Sequence, residues 1–138
     1  MTTLRTLSPH AHWLLRVALA SVFLYHGLTK FPALGGLAEM MGMPVFMVGM
    51  LAAAETIGAV FVLVGGVGWD WLTRLGGLLI APIMLGAIFM VHLQHGWNSV
   101  NMGSGNMGRG MEFQVVLLLI ALYFLVVGNA SVAPSENR

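Results

Sequence analysis

The sequence predicts an all-α fold, a four-helix bundle integral to a membrane, from three observations. Of its 138 residues 58% are hydrophobic and 8% charged, with a mean hydropathy of +0.87, whereas a water-soluble domain is about one-quarter charged. A soluble chain of this length has too few polar groups to cover so much apolar surface, which lipid solvates directly. The apolar residues fall in four continuous runs, each near the roughly 20 residues that cross a ~30 Å hydrocarbon core, and none alternates apolar with polar positions as barrel strands do.

The first run extends from about Ala11 to Lys30. It resembles the start of a secretory signal, but it is too long, carries Arg16, His26 and Lys30, and lacks a small-residue cleavage site, so a retained helix is expected. The second, from about Pro44 to Gly66, opens on a proline where a missing N–H costs nothing. The third, from about Trp71 to His95, contains Pro82 and is expected to kink there. The fourth runs from about Met111 to Gly128, and residues 1–138 form one domain. Between the first two, FPALGGLAEMMGMP is expected to form a short re-entrant or interfacial piece. Residues 95–110, HGWNSVNMGSGNMGRG, are too polar to span and too long for a tight turn. They fold over one end of the bundle either as a loose loop or as a lid, with Trp97 at the interface. Gly76, Gly77 and Gly86 form a small-residue face suited to packing against another subunit. Gly49, Gly58 and Gly128 leave room for close packing or for an isoprenoid tail.

Several functions are excluded. With no cysteine the chain forms neither a disulfide nor a thiolate metal site. It has no phosphate-binding glycine loop beside a strand and no c-type haem motif. A net charge of +1 leaves no basic patch for nucleic acid.

The ionisable residues inside the runs converge in depth. Each helix rises 1.5 Å per residue and the chain reverses at every loop, so His26 and Lys30 at the exit of helix one, His92 and His95 at the exit of helix three, and Glu112 at the entry of helix four face one side. Glu55, about eleven residues into helix two, lies roughly 15 Å below that side. His26 and Lys30, four residues apart, share a helix face. A charge at bilayer depth costs from about 2.5 to well over 10 kcal/mol, so such residues pair and mark function. The alternatives are structural: Lys30 reaching to the head groups, His26 bonding a neighbouring carbonyl, and Glu55 a neutral acid bonded between helices. Arg16 reads as an interfacial anchor paired with Asp70 across the second loop. Arg5, Arg74 and Arg138 against Lys30 and Arg109 place both termini in the cytoplasm.

In order along the chain, Arg16 with FLYHGLTKF, AAAETIGAVFVLVGG, GAIFMVHLQHGW and GMEFQVVLLLIALYFLVVG resemble the DoxX family of small four-helix membrane proteins. The most specific parts are the His-Gly-Leu-x-Lys end of helix one and the Glu of helix two with its glycine-rich exit. The family's Gly-x-x-Ser-Leu-Asp-like tail is GNASVAP here, with Ala133 in place of the acid. The resemblance implies a component of a redox system in the cytoplasmic (inner) membrane of a bacterium or archaeon, since one branch is similar to the large subunit of a thiosulfate:quinone oxidoreductase. It also admits an assembly role.

The residues support quinone independently. Glu55, His26 and Lys30 are the candidate catalytic groups, with Glu55 holding a proton and Lys30 stabilising negative charge, and His26, His92 and Glu112 are the candidate groups holding the ring. The electron donor must be a partner protein. The rival class is a noncatalytic accessory subunit of a larger membrane complex. Eleven methionines, several in MMGMPVFMVGM and NMGSGNMGRGM, add a copper alternative through His92, His95, Met102 and Met107. His26 and His92 as axial ligands add haem b.

Overall fold

The computed structural model describes residues 8–100 and 108–130. A 3-10 turn, Ser8–His10, leads into α1 (His12–Lys30), and a second, Phe31–Ala33, joins α1 to the short α2 (Leu34–Met41). Then come α3 (Val45–Gly65), α4 (Asp70–Ala87) and α5 (Glu112–Val127). Beyond α4 the helix continues as a π segment, Ile88–His92, and a 3-10 turn, Leu93–His95. No strand occurs among the described residues. α1, α3 and α5 begin and end within a residue or so of the expected runs, the third run reaches His95 only through the π and 3-10 segments beyond α4, and the segment expected as a short re-entrant or interfacial piece contains α2.

Three helical stretches, His12–Met41, Val45–Gly65 and Asp70–His95, are long and apolar enough to cross a membrane. α5, with 16 residues, is about 24 Å long and falls short of a full hydrocarbon core by itself. The distribution of side chains is that of a protein solvated by lipid: Leu14 (76% exposed), Phe46 (73%) and Val126 (70%) face outward, while Arg16, Glu55 and Thr73 are buried. An apolar solvent allows the first and forces the second.

The helices pack in sequence, α1 on α3, α3 on α4 and α4 on α5, while α1 and α5 meet at few points. Glycines set the approach. A Cβ on Gly27 would stand 3.0 Å from the Ala52 carbonyl oxygen, one on Gly76 2.7 Å from the Gly58 carbonyl oxygen, and one on Gly77 2.7 Å from Leu125 N. Gly76 and Gly77 therefore seat α4 on α3 and α5, which corrects the expectation that they face another subunit. Only Gly86 of that trio has open space beside it. The core between the helices contains Leu19, Ala20, Phe23, Ala59, Val62, Ile80, Ala121 and Phe124.

Pro82 stands inside α4. The departure from α-helical geometry follows one to two turns later, where the π segment widens the helix at the level of His92; such π bulges often sit at functional sites.

Arg16 overturns the reading of an interfacial anchor. It is 0% exposed. Its Nε donates to His12 Nδ1 (2.8 Å), Nη1 to the Val62 carbonyl (2.5 Å) and Thr73 Oγ1 (2.9 Å), and Nη2 to Asn129 Oδ1 (2.6 Å). Its guanidinium carbon lies 4.7 Å from the centre of the Phe124 ring. Asn129 also donates from Nδ2 to the Gly65 carbonyl (2.9 Å). One cation thus ties α1, α3, α4 and the end of α5 together through neutral partners. Asp70 is engaged elsewhere: its Oδ2 takes Arg74 Nε (2.6 Å) and its Oδ1 the Asn129 N–H (2.6 Å). Arg74 goes on to cap the last carbonyls of α5, at Leu125, Val126 and Val127.

Candidate functional site

Toward the helix ends opposite the two ends of the described chain lies a cavity of about 540 Å³. α1 lines it with Phe23, His26 and Lys30, α3 with Leu51 and Glu55, α4 with Pro82, Ile83, Met84, Gly86 and Ala87, the π segment with Met90, Val91 and His92, and α5 with Phe113, Gln114 and Leu117. Met41 and Met43, from the end of α2 and the turn after it, add thioether surface. The walls are mostly apolar, with His26, Lys30, Glu55, His92 and Gln114 as a few polar groups among them, the usual constitution of a small-molecule site.

Lys30 and Glu55 form an ion pair with Nζ 2.5 Å from Oε2. Both side chains are largely removed from solvent, at 17% and 5% exposure. Lys30 also donates to the His26 carbonyl oxygen at 3.3 Å. The pairing depends on a sequence detail: Gly27, next to His26, lets α1 lie against the Ala52–Thr56 turn of α3, which brings the end of α1 within reach of Glu55. Lys30 therefore bonds inward rather than reaching to the head groups.

The His26 imidazole lines the cavity and lies edge-on to the Tyr25 ring, 5.6 Å between centres. Among the described residues its ring nitrogens make no hydrogen bond. His92 differs. Its Nδ1 lies 2.7 Å from the Arg109 carbonyl oxygen and its Nε2 3.1 Å from Gln114 Nε2. A carbonyl only accepts, so Nδ1 carries a hydrogen toward Arg109, and the Gln114 amide lies against Nε2. Both nitrogens of His92 are thus occupied by protein. The amide orientation leaves Gln114 Oε1 buried without a partner among the described residues.

Glu112 lies outside the cavity's lining. Its Oε1 accepts the Ser99 N–H at 3.0 Å, Ser99 Oγ donates to the Gly110 carbonyl at 2.6 Å, and Met111 N bonds the Gly96 carbonyl at 3.0 Å. It fastens the described ends of the long loop to the start of α5. His95 sits in the 3-10 turn beyond His92, also outside the lining. Met102, Met107 and Ala133 lie outside the described residues. Gln114 escaped the sequence reading because an amide in the first turn of a helix carries no charge to single it out.

A family model described as DoxX matches residues 11–93. The chain is also 34% identical over 123 residues to a protein of Bacillus subtilis (strain 168) whose printed name is "Putative oxidoreductase CatD", covering 87% of this chain and 81% of that one. No solved structure matches.

Proposed function

The chain belongs to the DoxX family of multi-pass membrane proteins, and from that premise we propose that it is the quinone-binding membrane subunit of an oxidoreductase whose electrons come from a partner protein. The observation that carries this reading is one cavity of about 540 Å³ lined both by a bonded Lys30–Glu55 pair and by a His26 imidazole whose nitrogens make no hydrogen bond among the described residues. The relative's name supports the redox class.

The residues present fit such a ring. The cavity falls in the size range of ligand sites, its apolar walls suit a lipid-soluble molecule, and its lining includes both donors and acceptors. A quinone supplies two-electron, two-proton chemistry when bound. His26 offers a ring N–H to a carbonyl oxygen, Lys30 offers positive charge where negative charge develops, and the Glu55 carboxylate, paired with Lys30, takes up and passes on a proton. His92 acts through Gln114, whose amide it orients. Electrons require the partner, since the chain has no thiol to relay them.

The test is binding to the purified protein in lipid nanodiscs, read by quenching of intrinsic tryptophan fluorescence with a short-tailed ubiquinone. Wild type is expected to bind saturably. Glu55→Gln and His26→Ala should each weaken binding about tenfold, the loss of one hydrogen bond to a polar group at roughly 1.4 kcal/mol. Absence of saturable binding, or equal binding by all three, removes the proposal and favours the accessory-subunit reading, in which lipid fills the cavity. Met41, Met43 and Met90 bring thioethers to the same cavity as His26, which keeps copper as the second reading. Metal analysis with an absorption spectrum of the purified protein decides it, and shows haem at the same time.

A further inference from the structure

The cavity does not reach through the molecule, and what lies beneath it has a consequence for protons. Its titratable lining groups are His26 and Lys30 from α1, Glu55 from α3 and His92 from the end of α4, while α5 contributes the amide of Gln114. Chain direction puts Lys30 at the last residue of α1, His92 at the end of the third crossing and Gln114 in the first turn of α5. All are turned to the face opposite the termini.

Below the cavity the side chains are apolar and closely packed. Leu19, Ala59, Val62, Ile80, Ala121 and Phe124 are each 0% exposed, so that layer has no surface for a water chain to wet. The next polar group beneath is Arg16, seven residues and about 10 Å along α1 from Phe23. Arg16 closes the route in two ways. Its Nε and both terminal nitrogens are engaged by His12, Val62, Thr73 and Asn129, and a guanidinium does not give up its proton at working pH. Its charge is met by dipoles and an aromatic face, with no carboxylate bonded to it. The nearest carboxylate, Asp70, is bonded to Arg74 and to the Asn129 N–H and not to Arg16, and a buried cation whose own hydrogen bonds all go to dipoles raises an electrostatic barrier to a passing proton, as an arginine does in proton-excluding pores.

We infer that the cavity exchanges protons with one face of the membrane only, the face opposite the termini, and that Arg16 with the packed layer above it is the seal on the other side. This rests on the quinone reading. With a quinone bound and reduced by two electrons from the partner, the two protons that the hydroquinone requires would enter through the Lys30–Glu55 end. With the termini in the cytoplasm, that face is the outer one.

The inference is tested on the full chain in liposomes, with insertion direction fixed by protease removal of a C-terminal tag. The bound probe is 2-hydroxy-3-alkyl-1,4-naphthoquinone, whose ionised hydroxyl absorbs visibly, and the pH is jumped on one side at a time. The absorbance of the bound probe is expected to follow a jump on the face opposite the tag at least tenfold faster than a jump on the tag's face. Glu55→Gln should slow the fast response several-fold without reversing the preference. Equal response to both faces, or faster response from the tag's face, overturns the seal while leaving the quinone site intact. Absence of any bound-probe signal above protein-free liposomes overturns the quinone reading and this inference with it.

Discussion

Replacing Glu55 by alanine leaves the Lys30 ammonium without its carboxylate at 17% exposure. Breaking one side of a buried pair costs about 3–5 kcal/mol, whereas replacing both partners by apolar residues is often neutral. Glu55→Ala is therefore expected to lower the unfolding midpoint in detergent strongly, and Lys30→Met with Glu55→Met to recover most of the loss. Additive losses in that double-mutant cycle would mean that the two side chains do not interact. Arg16 gives a second residue-scale expectation. Lysine keeps the charge but not the planar fork that reaches four partners on three other chain segments and its own helix. Arg16→Lys should cost roughly 2–4 kcal/mol, since it strands two or more buried acceptors at about 1–3 kcal/mol each. A midpoint within a degree of wild type would show that Arg16 is not what joins the helices.

Helix approach is set by single glycines, and their substitutions separate what packs from what faces open space. Alanine at Gly27 would place a methyl group 3.0 Å from Ala52 O and Thr56 N, forcing α1 off α3. Overpacking of this kind costs about 1–3 kcal/mol. It should also part Lys30 from Glu55, so Gly27→Ala is expected to weaken quinone binding as well as stability. Gly86→Ala meets nothing within 4 Å and should be neutral or stabilising by up to about 1 kcal/mol through helix propensity. Thermal unfolding of both variants checks the contrast. If Gly86→Ala is the more damaging, the assigned helix contacts are wrong. The π segment at Ile88–His92 is the element-scale feature that aims His92 at Arg109 and Gln114.

At the scale of the whole molecule, α1, α3, α4 and α5 alternate in direction, which brings the two ends of the described chain to one side. α5 is 16 residues long, so to cross it would need help from bilayer thinning or from polar groups at its ends. Arg74 bonds its last carbonyls and Glu112 secures its start. Reporter fusions at the N- and C-termini are expected to read out on the same side of the membrane. Opposite sides would mean that α5 lies along the surface and that the cavity lacks its fourth wall.

Sequence alone determined the membrane solvent, the four long helices and the depth of the polar residues. Hydropathy over about 20 residues and the fixed helical rise need no knowledge of neighbours. It therefore placed His26, Lys30, Glu55 and His92 at one end, and the structure lines one cavity with all four. Direction around each helix axis was another matter, because it is settled by which side chains meet across an interface. Gly76 and Gly77 turned inward to α3 and α5, Glu112 turned to the loop, and Arg16 was drawn into the bundle by Thr73 and Asn129, residues 57 and 113 positions away. In lipid nearly every helix face is apolar, so no amphipathic stripe announces the buried side. Only the tertiary contacts could decide it.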